Sequence, residues 1–275
     1  MHGIGNDYIY VDCTQSELEN PNDVAIKMSS RRFSVGSDGL ILICKSDKAD
    51  ARMRMFNADG SEGKMCGNGI RCVGKFMYDK GLVDKTEISV ETLGGMKYLS
   101  LNLGDDGLVE SVKVDMGTAI LTPAEIPVNM AGESVIDRPL EVNGEAVNVT
   151  CVSMGNPHAV IFKNGIDALD LERIGPDYEN HVAFPERVNT EFIEVIDRTH
   201  LRMRVWERGS GETFACGTGA CASVVASVLN GVCDYDTPVT VSLIGGDLEI
   251  IVTKDLKVQM TGPATTVYEG IYQYK

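Results

Sequence analysis

Arg52-Met53-Arg54-Met55-Phe56, followed by Glu62 and by Cys66-Gly67-Asn68-Gly69, returns 150 residues later as Arg202-Met203-Arg204-Val205-Trp206, Glu212 and Cys216-Gly217-Thr218-Gly219. The same offset carries Gly81 onto Gly231 and Gly5-Asn6 onto Gly155-Asn156. Pressure for a Gly-rich turn could produce one of these matches twice. It would not place a strand, a glutamate, a Gly-Asn pair and a distant glycine in one register over about 80 residues. We read the chain as two similar halves that arose by duplication.

Each half repeats one local grammar. An alternating strand, Arg52 to Phe56 or Leu201 to Trp206, runs into a polar Gly-rich loop, then Cys-Gly-x-Gly, then a helix. In the first helix Ile70, Val73 and Met77 recur at helical spacing and Gly81 is a natural stop. In the second, Ala220 to Leu229 is small or apolar on nearly every side, the pattern of a buried helix, with Gly231 as its stop. Further strands are expected at Leu40–Cys44, Ile88–Thr92, Tyr98–Leu103, Val109–Val114, Val147–Cys151, Val239–Leu243, Leu248–Val252 and Lys257–Met260. Gly104-Asp105-Asp106-Gly107, Asn143-Gly144 and Gly245-Gly246 supply turns. Asp23–Arg31 and Leu169–Ile174 read as surface helices. The class is α+β, with a central helix wrapped by sheet in each half and the join expected at Thr118–Pro127, which carries two prolines.

Bulk properties narrow the function. The 275 residues suffice for one large or two modest domains. A formal net charge of −15 opposes phosphate backbones and anionic lipid, so nucleic acid and membrane surfaces are not expected partners. The opening Met1-His2-Gly3-Ile4-Gly5-Asn6-Asp7 lacks the basic and apolar regions of a signal peptide, and no apolar run reaches the roughly 20 residues of a membrane span. A soluble cytoplasmic protein is expected. In that setting the eight cysteines do not form a disulfide framework, and with no Cys-x-x-Cys pair and no histidines clustered beside them they do not read as a zinc site. Cys13, Cys44, Cys72, Cys151, Cys221 and Cys233 read as small buried hydrophobes.

Cys66 and Cys216 differ because both precede a helix inside matching Gly-rich loops. The unpaired N–H groups and the dipole at a helix start favour negative charge and lower a thiol pKa from about 8.5. The glycines let backbone amides approach an anion such as a carboxylate. One such site could serve a nucleophile, a redox thiol or an anion clamp. Two, one per duplicated domain, face a common cleft if the domains pack about a pseudo-twofold axis. That symmetry suits inversion of a stereocentre, where a base removes a proton from one face, an acid delivers one to the other, and the roles swap in reverse. Helix N-termini aimed at the substrate carboxylate would stabilise the carbanion in a dry, closing cleft. A thiol-redox protein joined through Cys66 and Cys216 is a rival reading, and a binding module is another.

At these residues the sequence resembles the diaminopimelate epimerase family. The resemblance rests on His2-Gly3-Ile4-Gly5-Asn6-Asp7, on Phe56-Asn57-Ala58-Asp59-Gly60-Ser61-Glu62 leading into Met65-Cys66-Gly67-Asn68-Gly69-Ile70-Arg71-Cys72, on Ser153-Met154-Gly155-Asn156-Pro157-His158, on Pro185-Glu186-Arg187-Val188-Asn189-Thr190, and on Glu207 through Ala220. It implies two pseudo-twofold-related α+β domains, each a mainly antiparallel, barrel-like sheet around a central helix. The C-terminal tail would return to the first domain, giving 1–117 with 264–275 and 118–263. It further implies a homodimer that converts LL-diaminopimelate to the meso isomer, without pyridoxal phosphate or metal, in lysine and peptidoglycan precursor synthesis.

Carried over by position, the resemblance makes Cys66 and Cys216 the acid/base pair. Gly67, Asn68, Gly217 and Thr218 would lend backbone amides. Asn6, Asn57, Asn156, Asn189, Glu207 and Arg208 would bind substrate, the guanidinium on the distal carboxylate and Glu207 on an ammonium. His158 and Glu207 would tune the thiols. Asn6 and Asn156 follow glycines and Asn57 ends a strand, so a turn or loop-capping role is the alternative for each. Glu207 and Arg208 could be a solvated pair, and His158 a satisfied loop histidine. A proline racemase or hydroxyproline epimerase would share the cysteine chemistry, but the charged pair at 207 and 208 suits a substrate with a second charged end. The chain departs from many members in having Gly39 where they carry glutamine, which removes a side-chain contact. It also has only Met1 before the His-Gly motif.

Overall fold

A computed structural model describes residues 1–273. The chain divides into two compact units, Met1–Asp115 with the segment from Thr261 onward, and Met116–Met260. Residues 274 and 275, the end of the expected first domain, lie outside the described residues. The chain passes between units inside strands rather than in the proline-bearing stretch after Thr118, two or three residues before each expected boundary. Thr122 and Pro123 instead accept backbone bonds from 125–128, a turn local to the second unit.

The first unit contains strands β1 (His2–Gly3), β2 (Asn6–Cys13), β3 (Gly39–Cys44), β4 (Ala51–Asn57), β5 (Glu62–Gly63), β6 (Glu87–Thr92), β7 (Gly95–Leu103) and most of β8 (Val109–Thr118), with helices α1 (Pro21–Ser29) and α2 (Gly67–Asp79). β3 is the spine. It pairs in parallel with β2 and antiparallel with β4. Leu40, Ile41, Leu42 and Ile43 are all buried, at roughly 1.5–3 kcal/mol of transfer free energy for each side chain. Strand alternation sends Leu40 and Leu42 toward α1, where they pack with Val24, Ala25, Met28 and Phe56. Ile41, on the other face, meets the first turn of α2. The helix expected over 23–31 thus starts earlier, with Pro21 in its first turn where a missing N–H costs nothing, and it packs against the sheet rather than lying free on the surface.

The second unit holds β9 (Arg138–Val142), β10 (Glu145–Ser153), β11 (Pro157–Phe162), β12 (Asn189–Asp197), β13 (His200–Glu207), β14 (Gly211–Glu212), β15 (Val239–Leu243), β16 (Gly246–Val252) and the start of β17 (Lys257–Pro263), with helices α3 (Leu171–Glu179) and α4 (Gly217–Leu229). The 150-residue offset is kept to the residue. Tyr8 pairs with Gly39 in parallel, and His158 with Asn189. Phe56 opposes Glu62, and Trp206 opposes Glu212. Arg54 grips Glu62 and Arg204 grips Glu212, each by a bidentate ion pair. Helices α1 and α3, which share no sequence pattern, also occupy equivalent positions. α3 begins at Leu171 and continues five residues beyond the expected end, through Pro176, because Asn180 closes the last turn on the Pro176 carbonyl.

Helices α2 and α4 are buried along most of their length and end at Gly81 and Gly231, both in the left-handed conformation (φ 69° and 71°). Antiparallel pairs dominate in both units, with parallel pairs β2–β3, β4–β6, β11–β12 and β13–β15 interleaved. At its far end the chain re-enters the first unit, where His2 and Thr265 exchange both backbone hydrogen bonds. No helix among the described residues is long and apolar enough to cross a membrane.

Where α3 crosses β13, a Cβ added to Gly175 would stand 2.2 Å from Trp206 Cδ2. Trp206 is buried, and Glu179 holds its indole N–H. Gly175→Ala should therefore destabilise the protein by about 1–3 kcal/mol, read as a lower urea midpoint with unchanged slope.

Candidate active site

The two cysteines cap the two central helices. Cys66 is the residue before α2 (φ −127°, ψ 119°), and Cys216 the residue before α4 (φ −120°, ψ 104°). The helices start on Gly67-Asn68-Gly69 and Gly217-Thr218-Gly219, so the first-turn N–H groups lie beside each sulfur. The third residue of each motif has a specific steric reason to be glycine. A Cβ on Gly69 would lie 2.6 Å from Ile41 Cδ1, and one on Gly219 would lie 2.7 Å from Glu191 Oε1. Each helix start is thus pressed onto the neighbouring strand, β3 or β12.

In the first unit, the Cys66 thiol donates to Asn6 Oδ1 at 3.2 Å and receives the Gly69 N–H at 3.3 Å. Asn6 is oriented by its other end, whose Nδ2 donates to Asp38 Oδ2 at 2.7 Å. Asp38 also accepts the Asp7 N–H and bonds Arg31, which bridges back to Asp7. Neither Asp38 nor Arg31 carries a pattern in the sequence that marks it for this role. Asn68 is buried, holds Asn6 through Nδ2 and accepts from Arg71. Asn57 has a loop contact, its Nδ2 donating to Ser61 Oγ at 3.0 Å. Gly39 pairs with Asn57, and a Cβ there would fall 2.1 Å from the Phe56 carbonyl. This backbone has no room for the glutamine side chain that the family resemblance leads one to expect here.

The second unit holds the same parts with different chemistry. Asn156 Nδ2 donates to Thr218 Oγ1 at 3.3 Å, and that hydroxyl lies 3.6 Å from Cys216 Sγ. His158 is fully buried, with Nε2 at 3.0 Å from Asn156 Oδ1 and Nδ1 at 2.7 Å from Glu191 Oε1. Glu207 replaces Asn57 at the equivalent position, and its carboxylate receives the hydroxyl of Thr213 and the Cys216 thiol. Burial pushes the Glu207 carboxyl up, while those two hydrogen bonds pull it down. Burial also pushes the Cys216 thiol well above the usual thiol range. The charges of Glu207 and Glu191 push the same way, and the Thr218 hydroxyl and Gly219 amide oppose them.

Arg208 and Asn189 belong to one frame. Asn189 is buried, with Nδ2 on the Pro157 carbonyl and Oδ1 accepting the Arg208 N–H at 2.9 Å. Arg208 Nη1 rests on the Glu186 carbonyl. A second hub stands behind them. Glu179 of α3 accepts from Arg187, from Trp206 Nε1 and from the Gly209 N–H, fixing the loop that follows Glu207. Glu179 has no repeat partner of like chemistry and no motif, so nothing in the sequence marks it.

The Cys66 and Cys216 loops, their paired asparagines and the buried histidine all lie within the two stretches that a known family matches. The diaminopimelate epimerase family model matches residues 1–122 and 150–267. The chain belongs to the diaminopimelate epimerase family. A diaminopimelate epimerase of Acetivibrio thermocellus is 58% identical over 271 residues, covering 98% of this chain and 96% of the relative. One from Methanococcus maripaludis strain S2 is 54% identical, over 98% of this chain and 97% of the relative. Solved structures extend the likeness of fold beyond the family. A hydroxyproline epimerase of Agrobacterium vitis, crystallised with trans-4-hydroxy-L-proline, superposes with TM-score 0.68 at 13% identity over 97% of this chain and 87% of its own. A Bacillus anthracis protein of the phenazine biosynthesis PhzF family gives TM-score 0.68 at 19% identity over 96% and 92%.

A thiol raised above its usual pKa is neutral at physiological pH and reacts slowly with alkylating reagents. Without added substrate, iodoacetamide labelling of Cys216, followed by peptide mass spectrometry, should be slow at neutral pH. It should still be rising with pH after a free cysteine has reached its plateau. A Cys216 profile with its midpoint below that of free cysteine would contradict the electrostatics of this pocket.

Proposed function

We propose that this chain epimerises LL-2,6-diaminopimelate to meso-diaminopimelate, with Cys66 and Cys216 as the two proton-transferring groups. The observation that carries the reading is the paired placement of two thiols, each before a buried helix and each linked to an equivalent asparagine, directly at Cys66 and through the Thr218 hydroxyl at Cys216. Relatives of 49–58% identity and near-complete coverage bear that enzyme's name. Inversion needs one group to take the α-proton as the other delivers one. Two cysteines in duplicated surroundings supply both roles from the chain itself, so the chemistry calls for no cofactor or metal.

The remaining assignments follow the charges of the substrate. The amides of Gly67, Asn68, Gly217 and Thr218 cradle the carboxylate next to the reacting carbon, where negative charge grows in the transition state. Asn6 and Asn156 hold substrate polar groups from the two halves. Asn57 and Asn189 bound the same site, Asn189 chiefly by setting the Arg208 backbone. Arg208 takes the distal carboxylate and Glu207 an ammonium. That ammonium brings positive charge beside the carboxylate that raises Cys216, and so favours the thiolate on binding. His158 and Glu207 tune this thiol.

We further propose a homodimer in the cytoplasm, acting in lysine and peptidoglycan precursor synthesis. The first unit supports an assembly surface. Leu103, Leu108, Tyr268, Ile271 and Tyr272 are exposed apolar side chains lining one open hollow of about 1360 Å³.

Incubation of LL-diaminopimelate with the protein in heavy water should place deuterium only at the inverted α-carbon. Cys66→Ala and Cys216→Ala should each lower kcat by at least about 10³-fold. Near-wild-type epimerisation by either variant would remove the two-base assignment. Inversion of proline, with none of diaminopimelate, would move the chain to the proline racemase reading.

A further inference from the structure

Laying one unit on the other by the 150-residue offset shows where the twin sites part. Tyr8, Ile41 and Asn57 of the first unit become His158, Glu191 and Glu207 of the second. Glu207 and His158 face groups already described. Glu191 is the residue left without a role. It is fully buried near the start of β12, in the position its twin Ile41 fills with hydrocarbon. An ionised carboxylate in such a place carries a large desolvation cost unless it is paired. Oε1 is paired with His158 Nδ1 at 2.7 Å, and no hydrogen bond reaches Oε2. The same Oε1 is the atom that a Cβ on Gly219 would strike. The carboxylate therefore touches the first turn of the helix that Cys216 caps, a poor choice if the position only had to be filled.

The hydrogen-bond polarity shows what it does. Asn156 donates through Nδ2 to Thr218, so its Oδ1 faces His158 Nε2, and Nε2 must carry a hydrogen. The contact at Nδ1 then holds a second proton between imidazole and carboxylate. Without the carboxylate, Nδ1 would keep no such partner. The ring could then present a bare Nε2, Asn156 would turn its amide, and Thr218 would meet an acceptor in place of a donor. In the first unit the twin asparagine is held the other way. Asn6 gives its Nδ2 to Asp38 and turns its Oδ1 to the Cys66 thiol. Two near-identical cysteine loops are thus set with opposite amide polarity, by Asp38 in one unit and by the His158–Glu191 pair in the other.

We propose that Glu191 is a positioning residue for Cys216. Its carboxylate fixes the protons on His158, and through Asn156 and Thr218 it sets the hydrogen bonding and field at that thiol, making the two cysteines chemically unequal. The charged groups acting on Cys216 are Glu207 from β13 and Glu191 from β12. His158 from β11 acts on Glu207, favouring its ionised form, and the facing Thr213 and Thr218 are neutral. The proposal rests on the two-cysteine reading for its catalytic consequence, but not for its effect on the thiol.

The test compares wild type with Glu191→Gln, which keeps the shape and removes the charge, and with Glu191→Ile, which installs the side chain of the first unit. Labelling of Cys66 and Cys216 by iodoacetamide is followed by peptide mass spectrometry from roughly pH 6 to 11. The Glu191 carboxylate acts on Cys216 directly, whereas the proton it shares with His158 acts on Glu207 and favours its ionised form, so losing the carboxylate together with that proton takes away both influences and favours the Cys216 thiolate. The Cys216 profile should move to lower pH, with labelling about tenfold faster at a fixed pH below the midpoint, while Cys66 stays within about twofold. kcat for epimerisation should fall with KM little changed and its pH profile displaced. A folded Glu191→Gln protein with an unmoved Cys216 profile, or with both cysteines moved alike, overturns the proposal. Lack of epimerisation by the wild type would instead sink the proposed function, and the labelling contrast would still decide on Glu191. Should neither variant fold, nitrogen-15 spectra of histidine in the wild type decide. His158 should show a protonated Nε2 and a far-downfield Nδ1 proton, and a bare Nε2 overturns the assignment.

Discussion

The contact between each helix start and the strand beside it governs the molecule. Gly69 and Gly219 admit Ile41 and Glu191 to within 2.6–2.7 Å of where a Cβ would be. That approach fixes how deeply α2 and α4 sit in their sheets. It thereby fixes where the capping residue and the free N–H groups of the first turn emerge. A cysteine at this cap is held by two constraints at once, the strand below and the helix behind. The loops before it need only close, which Arg54–Glu62 and Arg204–Glu212 do by clamping β4 to β5 and β13 to β14. Geometry for the chemistry is thus inherited from packing, and the duplication copied both together.

Given a copied frame, the differences carry the information about mechanism. The first unit keeps its thiol against a neutral amide and remains partly open. The second places its thiol among two carboxylates and a histidine, in a more buried setting. In the proposed two-base reaction, a base and an acid that exchange roles must both be usable, yet before substrate arrives they need opposite protonation states for either direction to begin. Identical surroundings would leave that choice to chance. Unequal surroundings impose it, and the substrate's own charges can then be matched to one side.

Much of this was legible in the sequence because it is written in glycine, cysteine and alternating strands. The Cys-Gly-x-Gly loops, β4 and β13, the stops at Gly81 and Gly231 and the buried α4 follow from residue types with few conformational alternatives. β2, β11 and β12 were not legible. β11 and β12 carry polar residues at buried positions, such as His158, Asn189 and Glu191, and β2 sets Asn6, Asp7 and Asp12 among its apolar residues, which erases the apolar alternation that identifies a strand. The equivalence of α1 and α3 was hidden for a related reason. Helix packing constrains which face is apolar far more than which residues supply it, so Val24, Ala25 and Met28 could diverge from Ile174, Gly175 and Tyr178 without moving the helix. Site residues divided on the same line. The cysteines and the Asn156-Pro157-His158 segment announced themselves, whereas Asp38, Glu179 and Glu191 act through other residues and lie in unremarkable sequence.

These silent residues share one physical property, a buried or half-buried carboxylate whose partners come from distant parts of the chain. Glu179 joins α3 to the loop after β13, Asp38 joins the approach to β3 with the start of β2, and Glu191 joins β12 to β11 and the start of α4. Such groups are costly to bury and stable only when every neighbour is in place. In a fold whose packing is already secured by Leu40, Ile41, Phe192 and their neighbours, that cost adds no needed cohesion. What it adds is orientation: a carboxylate with one satisfactory arrangement of donors leaves the amides of Asn6 and Asn156, and the backbone of Arg208, a single direction to point.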